Sequence, residues 1–171
     1  MGSPKALLDF RGETFINRLI RILSTVCDPV IVVLGHHQDA IRPHIHPPAQ
    51  FVINPDPDRG QLSSLQTALV AIPPQVAAFM FVPVDCPAVN QETISRLSQV
   101  NAPVVIPRYQ ARHGHPVYAT RPIIAELLAL PPTAQPRDLL KSHAHYLDVD
   151  DPGVLTDIDT PAAYHLLTHP Q

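Results

Sequence analysis

Three apolar runs constrain the fold of this chain most: residues 29–34 (PVIVVL), 77–84 (AAFMFVPV) and 103–107 (PVVIP). None of them alternates polar with apolar. A strand with one wet face does alternate, so an unbroken run suits a parallel strand covered on both faces. The stretches between carry a helical period instead. Residues 15–26 place Phe15, Leu19, Ile22, Leu23 and Val26 at three- and four-residue spacing, which predicts an amphipathic helix. Further helices are expected at 63–71, 91–100, 122–130, 137–143 and 161–167, with a short one at 38–45. Thr160 is an acceptable N-cap for the last, with Pro161 at its first position. Short strands are expected at 51–53, 115–120 and 146–149. This alternation predicts an α/β, Rossmann-like, open and mostly parallel sheet with helices on both faces. Ligands then bind at the carboxyl ends of the strands.

A length of 171 residues makes one domain, 1–171, the default expectation. With 45% hydrophobic residues it can bury a sizeable core. The net charge of -3 argues against a nucleic-acid groove, which needs concentrated positive charge. No apolar run approaches the ~20 residues of a membrane span. Asp9, Arg11 and Glu13 interrupt any signal-peptide core. Cys27 and Cys86 form no Cys-x-x-Cys pair, so a reduced, cytoplasmic setting is the simple reading. Proline, 21 of 171, falls mostly between the apolar runs and stiffens loops.

Candidate chemistry gathers in four places. Asp85 follows a buried strand, where one carboxylate can help hold Mg²⁺ beside phosphate oxygens; the plainer reading is a helix cap or loop aspartate. Asp157 and Asp159 flank Ile158 in LTDIDTPAAY. If extended, they point to opposite sides, so only one would face a shared site. Lys5, in Gly2-Ser3-Pro4-Lys5, can offer a point charge beside backbone N–H groups to a phosphate, although the spacing is not that of a Walker A loop. Gly60, Ser63 and Ser64 (GQLSSL) either contact a base or sugar or cap a helix, with capping the first expectation. The ten histidines include several pairs two apart, but no carboxylate or cysteine follows at zinc-like spacing. They read as surface or loop residues.

Taken in order, MGSPKALLDFRGETF, PVIVVLGH, NPDPDRGQLSSLQTAL, FVPVDCPAV, RHGHPVYA and DDPGVLTDIDTPAAY resemble the MobA-like nucleotidyltransferases, with the closer likeness to the molybdenum-cofactor cytidylyltransferase branch. The resemblance runs from Met1 to about Tyr164. It implies transfer of a nucleoside monophosphate from CTP or GTP to a phosphate-bearing, molybdopterin-type acceptor, with release of pyrophosphate. It implies Mg²⁺ as cofactor and a molybdoenzyme or its chaperone as partner, without nucleic acid or membrane. Lys5 would neutralise the triphosphate, with Gly2 and Ser3 beside it. Asp85 and Asp159 would be the metal carboxylates, with Asp157 the second choice to Asp159. Gly60, Ser63 and Ser64 would lie against the base. Gly114, His115 and Pro116 would line the acceptor side. The chain departs from the family at its front. Members begin with an apolar strand and a glycine-rich loop ending in Arg-Met-Gly, whereas this chain starts at that Met-Gly. The expectation is therefore a sheet lacking its central first strand, with Met1 internal to a longer reading frame. A rival expectation is a nucleotide- or partner-binding module without turnover.

Overall fold

The computed structural model describes residues 4–169. A hairpin opens it: β1 (Asp9–Phe10) pairs antiparallel with β2 (Glu13–Thr14). Arg11 and Gly12 turn the hairpin with φ of 59° and 85°, the left-handed pair that a two-residue turn requires. Then follow α1 (Phe15–Leu23), β3 (Ile31–Leu34), α2 (Gln38–Ile41), β4 (Gln50–Ile53), α3 (Gln61–Val70), β5 (Ala78–Phe81) and α4 (Gln91–Gln99). The remainder is β6 (Val104–Tyr109), β7 (Arg112–His113), β8 (Val117–Thr120), α5 (Pro122–Leu128), α6 (Pro136–Ser142), β9 (Ala144–Asp148) and α7 (Pro161–Thr168). Thr160 caps α7 as expected, its hydroxyl accepting the Ala163 N–H at 3.1 Å.

The apolar runs form β3, β5 and β6. Alternate residues of the larger sheet serve two layers. Phe79, Phe81, Val104, Ile106 and Tyr146 pack with Leu65 and Leu69 of α3, Leu127 of α5 and Leu140 of α6. Met80, Val82, Leu147 and Val149 pack with Leu19 and Ile22 of α1 and Ile94 of α4. Helices therefore cover both faces, and this removes the need for polar alternation in the strands. β6 and β9 run parallel, and β8 lies antiparallel between β5 and β6. β5, β6 and β9 thus share one direction, and β8 is reversed against them.

β3 and β4 form a parallel pair of their own. Among the described residues, no ladder joins that pair to the five-stranded sheet. Between β3 and β5 lies a cavity of about 840 Å³, walled by Val30, Val32, Met80, Val82, Ile20 and Leu65. The strands among the described residues thus lie in two pieces on either side of this cavity. Ala6 packs with Val32, Leu34 and Val84, so the turn at Lys5–Leu7 sits at the carboxyl ends of β3 and β5. No helix among the described residues is long and apolar enough to cross a membrane.

Candidate active site

Asp85 stands just beyond the carboxyl end of β5, after Val82, Pro83 and Val84. Its carbonyl oxygen accepts the Ile158 N–H at 2.9 Å. Ile158 is fully buried against Phe10 and Phe15. This backbone bond and the buried anchor bring Asp157 and Asp159 to Asp85. One carboxylate oxygen from each of Asp85, Asp157 and Asp159 lies within 4.8 Å of the others. The expectation that only one of Asp157 and Asp159 could face a shared site is therefore corrected. Alternation holds for a pleated strand, and residues 156–159 form no strand. Both flanks of Ile158 turn the same way.

Lys5 answers this negative cluster. Its ammonium donates a hydrogen bond to Asp159 Oδ1 and stands 4.0 Å from Asp85 Oδ2. The bond to Asp159, aided by the charges of Asp159, Asp85 and Asp157, pushes the lysine pKa up. The same bond holds the Asp159 carboxyl below its ordinary value. Asp157 moves the other way: desolvation first, then the charges of Asp85 and Asp159, push it up. Three carboxylates with one ammonium make a cluster short of positive charge. Its donors are all oxygen, the set that hard divalent cations take.

His115 belongs to the same neighbourhood. Its ring sits edge-on to Phe81 at 5.9 Å, and its backbone N–H donates to the Val154 carbonyl at 2.9 Å. Burial lowers its pKa against the opposing pull of Asp85, which favours the neutral imidazole. Its Nδ1 is buried with no hydrogen-bond partner among the described residues. Gly114 is dictated by close approach: a Cβ there would lie 1.9 Å from the Val154 carbonyl oxygen. Pro116 is buried and follows a cis peptide bond.

The serine loop occupies the end of the other sheet. Gly60, at φ 84°, starts α3 with no side-chain cap. The Ser63 hydroxyl bonds to the carbonyls of Asp56 and Gly60, so it ties the loop down rather than capping helix N–H groups. Asn54, buried just after β4, donates to Ser63 Oγ at 2.9 Å and Ser64 Oγ at 3.0 Å. Ser64 also borders the cavity between β3 and β5. Gly2 and Ser3 lie outside the described residues.

The remaining histidines form no metal cluster among the described residues. His36, His37, His44, His46, His113 and His145 are exposed. Sequence reasoning passes over Asn54, Arg18 and Asp151. Arg18 is buried and donates to the carbonyls of Pro87 and Val89, just after Asp85. A helical arginine gives no sign of such a role. Asp151 leaves a faint one, since an aspartate before Pro-Gly often starts a turn.

Comparison with known proteins places the chain in a family. The chain is 24% identical over 165 residues to the molybdenum cofactor cytidylyltransferase of Escherichia coli K12, covering 94% of this chain and 85% of that protein. It is 28% identical over 127 residues to a molybdenum cofactor guanylyltransferase of Sinorhizobium fredii, covering 72% of this chain and 58% of the relative. Among solved structures, Rv0371c of Mycobacterium tuberculosis superposes with a TM-score of 0.84 at 26% identity, over 98% of this chain and 90% of that one. The manganese complex of Rv0371c gives a TM-score of 0.80 at 25% identity, over 98% of this chain and 92% of that one. The profile of the MobA-like NTP transferase domain matches residues 1–147. On that match the chain belongs to the MobA-like NTP transferase family and is a nucleotidyltransferase.

Proposed function

We propose that this chain transfers a nucleoside monophosphate, CMP in preference to GMP, from the triphosphate to a molybdopterin-type phosphate and releases pyrophosphate. The observation that carries this reading is the meeting of Asp85, Asp157 and Asp159 within 4.8 Å, with Lys5 bonded to the cluster. The identity to the cytidylyltransferase of Escherichia coli over nearly the whole chain supports the choice of CMP and of acceptor.

In the reaction, an acceptor phosphate oxygen bonds to the α-phosphorus. The bond from that phosphorus to the bridging oxygen breaks, and its electron pair leaves on pyrophosphate. Such a transfer needs positioning and charge neutralisation more than a protein nucleophile. Lys5, held protonated by its neighbours, offers positive charge to the triphosphate. Asp85 and Asp159, with Asp157 beside them, would hold Mg²⁺ or Mn²⁺, which supplies positive charge to phosphate oxygens when bound. Ser63 and Ser64, braced by Asn54, lie to the base side. Gly114, neutral His115 and Pro116 line the acceptor side, with His115 at Phe81 beside the metal carboxylates.

The test is pyrophosphate release from CTP or GTP with Mg²⁺ and molybdopterin. Asp85→Ala should abolish it. Wild-type rates in Asp85→Ala would remove Asp85 from the metal site. Nucleotide binding with no release in the wild-type chain would favour a binding module instead.

A further inference from the structure

Asp151 is only 2% exposed and lies outside the carboxylate cluster, yet it touches both segments that build that cluster. Its Oδ2 accepts the backbone N–H of Asn90 at 2.9 Å and the hydroxyl of Thr93 at 2.7 Å. Its Oδ1 accepts the N–H of Gly153 at 2.9 Å. Asn90 ends the loop that begins at Asp85, and Thr93 lies in the first turn of α4. Gly153 lies in the turn at Pro152–Leu155 that leads to Asp157, Ile158 and Asp159. The two segments also touch directly: a Cβ on Gly153 would meet the Ala88 carbonyl oxygen at 2.3 Å. Farther along, Ile158 N–H bonds to the Asp85 carbonyl.

We infer that Asp151 is the positioning residue of the metal site, a buried clasp that sets residues 85–90 and 151–159 in the register that brings Asp85 to Asp157 and Asp159. This rests on the reading of those three residues as metal ligands. The carboxylates repel one another and Lys5 offsets only one of their three charges, so part of their approach is imposed from outside the cluster. A side chain with two acceptor oxygens meeting donors from both segments is suited to impose it. An amide in its place keeps one oxygen but turns an N–H₂ toward N–H or O–H donors, so Asp151→Asn breaks the clasp without changing its size.

Mn²⁺ alone is titrated into the full chain by electron paramagnetic resonance, in wild type, Asp151→Asn, Thr93→Val and Leu127→Ala. Leu127 sits in the core shared with α3 and α6 and controls for lowered stability in general. Mn²⁺ affinity should fall ~10–100-fold in Asp151→Asn, the range seen when partners behind metal ligands are lost. It should fall less in Thr93→Val and stay unchanged in Leu127→Ala. Exchange of the Ile158 amide should quicken in Asp151→Asn while that of Val105 does not. A folded Asp151→Asn with wild-type affinity, or with an unchanged Ile158 amide, overturns the inference. If Asp151→Asn does not fold, unchanged affinity in Thr93→Val overturns it. Wild-type protein that binds no Mn²⁺ overturns the metal reading, and the exchange measurement alone then decides on Asp151.

Discussion

Lys5 and Asp159 stand 154 residues apart in the chain, and their side chains join directly over the carboxyl end of β5. The pair is only partly shielded from water, so its worth lies in placement rather than in stability. A cation entering the carboxylates and a triphosphate arriving at Lys5 would each compete for one half of this bond.

Replacing Lys5 therefore separates two roles. Lys5→Ala should lower kcat/KM for pyrophosphate release ~100-fold or more, because the triphosphate loses its neutralising charge. Mn²⁺ affinity without nucleotide should not fall, because the ammonium that occupied Asp159 is gone. Steady-state kinetics and a metal titration check the two halves. A loss of metal affinity in Lys5→Ala would mean that the lysine holds the cluster together.

Gly114 and Gly153 are held by backbone contact, which a methyl group cannot escape by rotating. Gly114→Ala would press Cβ against the Val154 carbonyl, and Gly153→Ala against that of Ala88. Each should cost about 1–3 kcal/mol or more in urea unfolding. Each should also lower turnover, because both contacts lie on the segment that leads to Asp157. Wild-type unfolding midpoints would show that these loops have room to shift.

The depressed pKa of His115 carries a sign. Its unfolded form titrates near 6.5, whereas the buried ring resists protonation to lower pH. As pH falls below about 6.5 the unfolded chain binds the proton first, so stability should decline down to the folded pKa. His115→Asn should lose that part of the pH dependence. Urea midpoints between neutral and mildly acidic pH test this, and identical profiles would contradict it.

Burial pushes the Cys27 thiol up to about 11 from 9.0. At pH 8 its thiolate fraction should be about a hundredfold below that of the unfolded chain, and alkylation slower by a similar factor. Cys86 is raised further by burial and by Asp85. Timed iodoacetamide labelling with peptide mass mapping checks both. Rapid native labelling of Cys27 would show that its site opens readily.

Much of the fold is legible in the sequence because some signals are local. The unbroken run at 29–34 suits a buried strand, and Thr160-Pro161 is a local helix-start signal. Its place directly after a buried apolar run marks Asp85 as a candidate ligand. What stays hidden is what depends on contacts across the chain. The alternation rule separates Asp157 from Asp159, because nothing nearby in sequence reveals the Ile158–Asp85 backbone bond. Asp151, Arg18 and Asn54 look like ordinary polar residues, and their partners lie up to 71 residues away. The reversed direction of β8 rests on pairing with β5 and β6, which a run of alternating burial does not disclose.

The divided strand layer has a consequence for how the site is assembled. Asn54, Ser63 and Ser64 ride on the β3–β4 pair and α3. Asp85 rides on the five-stranded sheet. Among the described residues no ladder joins the two pieces, and α1 packs on both: Ile16 and Ile20 on Val32 and Leu34, Leu19 and Ile22 on Met80 and Val82. The apolar face of α1 thus serves both strand pieces at once, and a substitution there would be felt in each.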